Sequence, residues 1–325
     1  MDWQSGPSNY PPPPPPPPPP SGQMHPTPAP VAATHAMPAT PVARDRVMIL
    51  GRRRSGKTIY LARLYEAMWE GCEFVDGRLQ KPSKSSPTSG LGRTVSMSCR
   101  ATTGPAHTFF METCQSLRSG KWPGSSSGND YSEIIVTNGS RTHAVTMLDY
   151  PGEVFRKAFM LESDDMDAIE LRMSVDRAAA AILLIDPSVV VSGSSDAQED
   201  VFGLTQCVIQ IRKGLNGGKV PIVIVFTKSD INGVFLKEAG GAREFAAKHF
   251  SQLLREIGPT KIFPCSAVRV RQNSLGKQVP IADHGPDWVV EPLRFCLEQI
   301  EGAVAPARAS SAANAQGSRT PPSGR

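Results

Sequence analysis

The chain has 325 residues, six cysteines and a formal net charge of +5. That length can hold one large domain or two small ones with a sizeable buried core. The cysteines are widely spread without a C-x-x-C pair, which argues against a cysteine metal site or disulfide framework and predicts reduced, structural thiols. The lysines and arginines form no run of the length that marks a nucleic-acid patch.

The sequence predicts a cytoplasmic protein without a membrane span. The N-terminus lacks the positive stretch followed by an apolar stretch that is typical of a secretory signal peptide. The longest apolar run, residues 178–185, is far shorter than the roughly 20 residues that a membrane helix needs.

Both ends of the chain are predicted to be disordered. Residues 1–43 are rich in proline and include an unbroken proline run at residues 11–20, a composition that cannot bury enough apolar surface to fold. The run predicts a polyproline II rod, which either docks into an aromatic groove of a partner domain or acts as a stiff spacer. Residues 304–325 carry three arginines and no acidic residue. A single folded domain is therefore expected over residues 44–303.

The folded part begins with a phosphate-binding pattern. A predicted strand, residues 44–50, precedes the segment G-R-R-R-S-G-K-T, and a helical pattern covers residues 59–70. The segment fits G-x-x-x-x-G-K-[ST] in the strand-then-helix context that this motif needs. Glycines let successive N–H groups point at phosphate oxygens, and the helix start adds free N–H groups and a positive dipole end. The predicted phosphate-binding residues are Gly51, Arg52, Arg53, Arg54, Ser55, Gly56, Lys57 and Thr58.

Between residues 81 and 153 the sequence predicts one helix and one β-hairpin, separated by loops. Residues 107–118 predict a short helix, and residues 81–92 and 125–130 are rich in loop-forming residues. Strands are predicted at 131–137 and 143–148, joined by a hairpin turn at Asn138-Gly139-Ser140. The second strand runs into Asp149-Tyr150-Pro151-Gly152-Glu153. Open α/β sheets place their ligands at such strand ends.

The second half alternates strands with helices. Residues 153–177 are expected to be helical in parts, and the apolar runs 178–185 and 220–226 predict strands covered on both faces. Helices are predicted at 197–213, 242–257 and 288–300, with a short strand at 261–265. The fold class is therefore α/β, a mainly parallel sheet with helices on both faces.

Four motifs follow strands in a fixed order, and together they resemble the GTPase superfamily of P-loop proteins. They are Gly51 to Thr58, Asp149 to Gly152, Thr227 to Asp230, and Ser266-Ala267. The resemblance implies a Ras-like fold in which Asp230 accepts from two guanine donors, a pattern that adenine cannot supply. It also implies that Thr227 and Lys228 belong to the guanine loop, that Lys228 covers the base, and that Ser266 and Ala267 contact the guanine oxygen.

The same resemblance implies a magnesium site and a switch. Thr58 and Asp149 match the residues that hold Mg²⁺, and Gly152 matches the backbone N–H that senses the γ-phosphate. More narrowly, I-L-G-x-R-x-S-G-K-T-x-Y-L-A-x-L-Y, K-W-P and L-D-x-P-G-E resemble the bacterial double-GTPases of the translation-factor-related class. These occur in conflict and signalling systems and are thought to work in pairs, which implies a second GTPase or another effector as protein partner.

Several residues depart from the usual GTPase pattern. Val268 replaces the customary lysine after Ser266-Ala267, and Glu153 stands where Ras-like members carry glutamine. Glu153 either accepts a proton from water or serves as a helix N-terminal carboxylate. Arg53 acts either as a built-in arginine finger or as an obstacle to switch closure. The first-switch threonine is one of Thr94, Thr102, Thr103 and Thr108.

The sequence thus predicts a slowly hydrolysing GTP switch that converts GTP to GDP and phosphate with Mg²⁺. Lys57, Gly152, Glu153 and Arg53 are the predicted catalytic residues. One alternative is a scaffold that binds nucleotide without turnover, which Glu153 favours. The other is an ATP-using P-loop enzyme, against which Thr227-Lys228-Ser229-Asp230 argues.

Overall fold

A computed structural model describes residues 46–52, 54–69, 73–75, 78–80, 97–124, 132–148, 150, 152–193, 195–213, 220–282 and 285–302. The proline-rich segment, the C-terminal tail and the predicted loops at 81–92 and 125–130 lie outside the described residues. The boundaries of the predicted domain therefore stay a prediction.

Strands form where apolar or β-branched residues alternate or run together. They are β1 (Arg46–Gly51), β2 (Glu73–Val75), β3 (Arg78–Gln80), β4 (Met97–Ala101), β5 (Ser132–Asn138), β6 (Arg141–Met147), β7 (Ala178–Ile185), β8 (Ile222–Phe226), β9 (Ile262–Pro264), β10 (Val270–Gln272) and β11 (Gln278–Pro280).

Helices lie in the connections between the parallel strands of the sheet and in two further connections. They are α1 (Lys57–Met68), α2 (Gly104–Arg118), α3 (Gly152–Phe159), α4 (Met166–Asp176), α5 (Pro187–Val191), α6 (Ser195–Lys213), α7 (Ser229–Glu238), α8 (Ala242–His249), α9 (Ser251–Ile257) and α10 (residues 291–302). None of the helices in the described ranges is both long and apolar enough to cross a bilayer.

The main sheet has seven strands in the order β4-β5-β6-β1-β7-β8-β9. The five strands from β6 to β9 are parallel, and β5 and β4 complete one side in antiparallel pairing. The hairpin β5–β6 pairs Asn138 with Arg141 across the predicted turn. Because β1, β7 and β8 are neighbours, their carboxyl ends meet at one edge of the sheet.

Alternate residues of the central strands face two separate apolar cores, as expected for a sheet covered on both faces. On β1, Val47 and Ile49 pack with α1, α2 and α10, whereas Met48 and Leu50 pack with α3, α4, α6, α8 and α9. The predicted α/β architecture, a mainly parallel sheet with helices on both faces, is confirmed.

The helix predicted over residues 242–257 is interrupted. Phe250 leaves helical geometry at φ −130° and ψ 31° and separates α8 from α9. Its ring is buried against the rings of Phe226, at 6.0 Å, and Phe245, at 6.5 Å. A straight helix would not direct both helical segments onto the sheet, so core packing overrides the continuous helical pattern.

Candidate nucleotide site

The phosphate loop curls tightly between β1 and α1. Arg54 and Gly56 adopt left-handed backbone conformations, at φ 69° and 88°, and the Ser55 N–H donates to the Arg52 carbonyl at 3.1 Å. Only glycine adopts such a conformation without steric cost, which explains Gly56. Arg53 lies outside the described residues, so its predicted contacts with phosphate stay a prediction.

Gly51 is required by a close backbone approach rather than by its dihedral angles. A Cβ atom there would lie 2.6 Å from the Leu184 carbonyl oxygen on β7 and 2.6 Å from the Ser55 Oγ. The carbonyl belongs to a central strand and cannot move aside. The first glycine of the motif therefore lets the loop lie directly against β7.

Lys57 braces the inside of this loop. Its ammonium group donates to the carbonyls of Gly51 at 2.9 Å and Arg52 at 3.1 Å, and the residue is only 4% exposed. A buried ammonium is costly unless it is paired or hydrogen-bonded, so this cation is held inside the loop by carbonyl oxygens. The arrangement keeps a positive charge where the motif places phosphate.

Ser55 supplies an unused polar atom in the same cradle. Within the described part of the chain, its hydroxyl oxygen is buried and has no hydrogen-bond partner. A buried hydroxyl without a partner is rare because it loses its hydrogen bonds to water. A phosphate oxygen in the loop would accept from this hydroxyl, so the residues present fit an anionic ligand.

The predicted metal ligands are only partly described. Thr58 is half-buried in the first turn of α1, whereas Asp149 lies outside the described residues. Leu148, which precedes Asp149, donates its N–H to the Ile49 carbonyl at 3.3 Å and so brings this strand end beside the phosphate loop. A hydroxyl and a carboxylate are oxygen donors of the kind that Mg²⁺ prefers. In the described ranges, His, Cys, Asp and Glu form no cluster of three that could hold a metal.

Gly152 and Glu153 open helix α3. The Glu153 side chain is 60% exposed, and its Oε2 lies 3.9 Å from the Arg156 Nη1 one turn later. A carboxylate in a first helical turn interacts favourably with the helix dipole. This geometry matches the second of the two predicted roles of Glu153, a helix N-terminal carboxylate.

The predicted guanine loop follows β8 and is anchored to the neighbouring strands. The Thr227 N–H donates to the Ile185 carbonyl at 2.8 Å, and the Ser229 N–H donates to the Cys265 carbonyl at 3.0 Å. Lys228 adopts a left-handed conformation, at φ 56° and ψ 37°, and immediately precedes α7. Asp230 is exposed, and its Oδ2 accepts from the Val270 N–H at 3.1 Å.

The Ser266 loop closes the same end of the sheet. Ser266 is buried, its hydroxyl donates to the Val268 carbonyl at 3.1 Å, and its backbone exchanges two hydrogen bonds with Asp287. Ala267 packs against the α1 side of the core. The hydrogen bond from the Val270 N–H, four residues beyond Ser266, to Asp230 joins this segment to the guanine loop.

Asp186, which follows β7, has a place in this site that sequence patterns did not indicate. It is 7% exposed, and its carboxylate accepts from the Lys228 Nζ at 2.6 Å and the Asn232 Nδ2 at 2.8 Å. The one available signal was its position at the end of a buried parallel strand. These two partners lie more than forty positions away along the chain, so no local sequence pattern identifies them.

Two candidate first-switch threonines are engaged locally. The Thr102 hydroxyl donates to the Glu133 carbonyl at 3.2 Å, and the Thr103 hydroxyl accepts from the Ala106 N–H as the N-cap of α2. Thr108 lies exposed on α2, and Thr94 falls outside the described residues. The geometry therefore singles out none of the four.

The described cysteines are buried and form no disulfide: Cys99, Cys114, Cys207, Cys265 and Cys296. Burial raises the pKa of the Cys114 thiol to about 12 and also raises the pKa of Cys207 and Cys296. Protonated thiols in an apolar core are poor nucleophiles and poor metal ligands. These residues therefore fill the core, as expected; Cys72 lies outside the described residues.

A family model agrees with the motif order. Residues 135–286 match the model described as Double-GTPase 2, which confirms the resemblance to that group. The match contains Asp149, the guanine loop and the Ser266 loop, whereas the phosphate loop precedes it. Among curated proteins, none matches this sequence.

Solved structures of GTP-binding proteins are similar only at a distance. The SRb-GTP/SRX complex of the signal recognition particle receptor from Chaetomium thermophilum is 12% identical, with 73% of this chain and 99% of that chain covered and a TM-score of 0.33. Putative nucleolar GTP-binding protein 1 from Plasmodium falciparum is 11% identical, with 86% and 98% covered and a TM-score of 0.39. The GTP-bound GTPase-like domain of Ski7 from S. cerevisiae is 15% identical, with 80% and 51% covered and a TM-score of 0.41.

Proposed function

We propose that this chain, a P-loop protein of the double-GTPase class, binds GTP with Mg²⁺ and hydrolyses it slowly as a molecular switch. The observation that carries the proposal is the meeting of two loops at one sheet edge. The phosphate loop follows β1 and the guanine loop follows β8. Strand β7 lies between these two strands and pairs with each of them in parallel. Parallel α/β sheets bind nucleotides at this edge.

Phosphate binding falls to the first loop. Lys57 is held at the Gly51 and Arg52 carbonyls, ready to pair with phosphate oxygens, and the Ser55 hydroxyl supplies a further donor. The start of α1 adds backbone N–H groups and the positive end of its dipole. Arg52, Arg53 and Arg54 raise the positive charge around the loop, which favours a triphosphate.

The guanine loop and the Ser266 loop would recognise the base. Asp230 is exposed, so its carboxylate is accessible to the ring N–H and amino group of guanine. Lys228 would cover the base with its methylene stem, and the backbone around Ser266 and Ala267 would contact the guanine oxygen. Adenine lacks the two donors that Asp230 would accept, which supports GTP rather than ATP as the ligand.

Thr58 and Asp149 would hold Mg²⁺, which neutralises charge on the transferring phosphate. Gly152, at the start of α3, would donate its N–H to the γ-phosphate, so that α3 moves when this phosphate is released. Glu153 sits next to that position and would influence the attacking water. Lys57 and Arg53 would stabilise charge on the phosphate.

A nucleotide-binding scaffold without turnover is the second candidate. The exposed Glu153 lies in the first turn of α3 and faces Arg156 rather than a described site residue. Thr102 and Thr103 are engaged with nearby backbone groups. Both observations favour binding without efficient alignment of water.

The proposed setting is a bacterial signalling or conflict system in the cytoplasm. A second GTPase or another effector would recognise the switch, and the proline-rich segment would bind a partner domain or act as a spacer. Neither nucleic acid nor a membrane is a proposed partner.

The decisive experiment identifies the nucleotide that is released from purified full-length protein and measures turnover on the same sample. GTP or GDP with slow phosphate release would support the switch. Bound guanine nucleotide without phosphate release would support the scaffold. ATP or ADP as the bound nucleotide would overturn the guanine assignment.

A further inference from the structure

We infer that Asp186 is a positioning residue for guanine recognition, acting on Asp230 through Lys228 and Asn232, which lie two positions before and after it. This inference rests on the proposed function and extends it to a residue outside the four motifs. Asp186 is buried and is proposed to act through its neighbours rather than on the base. Its effect comes from the contacts of one buried carboxylate.

The two carboxylate oxygens of Asp186 accept hydrogen bonds from the guanine loop and from α7. Its Oδ2 accepts from the Lys228 Nζ at 2.6 Å, and its Oδ1 accepts from the Asn232 Nδ2 at 2.8 Å. Lys228 precedes Asp230 by two positions, and Asn232 follows it by two. Asp230 is thereby fixed from both sides by a single group.

The loop needs such an anchor because its backbone is not relaxed. Lys228 has φ 56°, a left-handed conformation that is sterically unfavourable for a residue with a side chain. Surrounding contacts must compensate for a conformation of this kind. The charge-assisted hydrogen bond from the Lys228 Nζ to Asp186, at 2.6 Å, is such a contact.

A simple capping role explains only part of the geometry. Asp186 is the N-cap of α5, and its Oδ1 accepts from the Ser188 N–H at 3.0 Å and the Ser188 hydroxyl at 2.7 Å. A cap needs no contact with α7. Asn232 is buried, and its amide is directed away from its own helix towards this carboxylate. The pairing of Ile185 with Phe226 sets Asp186 level with the start of the guanine loop.

The test compares guanosine triphosphate with inosine triphosphate, which lacks the exocyclic amino group. Asp230 would form two hydrogen bonds to guanine and one to hypoxanthine, so the ratio of the two dissociation constants reports how well Asp230 is placed. If a variant is partly unfolded, the apparent affinities for both nucleotides fall by the same factor, so their ratio is unchanged. The ratio therefore separates positioning from stability.

We expect Asp186→Asn in the full-length protein to reduce the preference for GTP over inosine triphosphate by about tenfold, measured by competition against a fluorescent guanine nucleotide. Ser188→Ala is the matched control, because it removes one hydrogen bond from the same carboxylate and leaves Lys228 and Asn232 in place. Its ratio should equal that of the unmutated protein.

Asn232→Ala provides a second variant if Asp186→Asn does not fold. It keeps the pairing of Lys228 with Asp186 and should also reduce the ratio. Unchanged ratios in the folded variants, or an equal reduction in Ser188→Ala, would overturn the inference. Unmutated protein without preference for GTP over ATP would instead overturn the proposed function, so the two failures are distinguishable.

Discussion

The ammonium group of Lys57 donates to the carbonyl oxygen of Gly51 at 2.9 Å, across the phosphate loop. The two residues end β1 and begin α1, so one hydrogen bond joins the strand, the loop and the helix.

We expect Lys57→Ala to weaken nucleotide binding by about a hundredfold or more, because a charged donor to phosphate is lost. A fluorescent-nucleotide titration measures this. Lys248→Ala, an exposed lysine on α8, is the control, and equal affinity of both variants would remove the loop from the proposed site.

A second prediction concerns the same loop and folding stability. Gly51→Ala should lower the free energy of unfolding by about 2–4 kcal/mol, because the new methyl group would overlap the Leu184 carbonyl in a packed core. Gly104→Ala is the matched control, since a Cβ there meets no atom within 4 Å and lies in the first turn of α2. Denaturant unfolding compares the two. Equal stability of both variants would contradict the close approach of β7 to the loop.

The parallel core of this fold was predictable because its strands carry a simple physical signal. Residues 178–185 and 220–226 are apolar runs that end at polar residues, which is the pattern of strands covered on both faces. The guanine loop follows the second of these runs and the phosphate loop follows the first strand, so the sequence predicted both at strand ends. The hairpin turn at Gly139 was equally local.

Other elements depend on contacts that no local window contains. The hairpin β10–β11 was not predicted because its strands have three residues each. Phe250 interrupts a continuous helical pattern because its ring packs under β8. Asp186 is identified only by Lys228 and Asn232, partners that lie far away in the sequence. Tertiary packing decides all three.

A third prediction tests base selectivity. Asp230→Asn should weaken GTP binding and raise the preference for xanthosine triphosphate, since an amide mismatches guanine and suits xanthine. Asp230 is exposed and makes one backbone contact, at the Val270 N–H, so the variant should remain folded. Competition titrations with both nucleotides measure the change. An unaltered preference in a folded variant would show that Asp230 does not contact the base.

The burial of the cysteines gives a fourth prediction. Because burial raises the pKa of Cys114 to about 12 and also raises that of Cys207, Cys265 and Cys296, these thiols should carry almost no thiolate at pH 8. A thiol reagent should therefore label at most Cys72 rapidly in native protein and all six cysteines in denaturant. Rapid labelling of Cys207 or Cys296, located by peptide mass analysis, would contradict the packing of the core.

A fifth prediction concerns the removal of residues 1–43, which tests the predicted domain boundary. The sequence places no core element in this segment, so nucleotide affinity and melting temperature should stay nearly unchanged. Thermal unfolding of the truncated and full-length proteins, each with and without GTP, provides the comparison. A large loss of stability would show that the segment docks on the folded domain.

For the proposed hydrolysis of GTP, we expect the rate to depend on the balance between charge and crowding at the phosphate loop. Three consecutive arginines, Arg52 to Arg54, favour triphosphate binding, whereas a bulky Arg53 and the carboxylate of Glu153 should hinder the alignment of water. We expect hindrance to win, with turnover of roughly 10⁻⁴ to 10⁻² s⁻¹ for the isolated protein. Arg53→Gly should then hydrolyse GTP as fast as the unmutated protein or faster.

The opposite sign would follow if Arg53 were an arginine finger supplied in cis. Removal of its guanidinium would then slow hydrolysis about tenfold or more, which is roughly 1.4 kcal/mol per factor of ten. Arg54→Gly separates this effect from the charge of the loop, because Arg54 already has φ 69° and glycine accepts that conformation without cost. Single-turnover hydrolysis at saturating protein compares the three proteins. Marked slowing in Arg53→Gly alone would make Arg53 catalytic, whereas equal slowing in both variants would assign the effect to net charge.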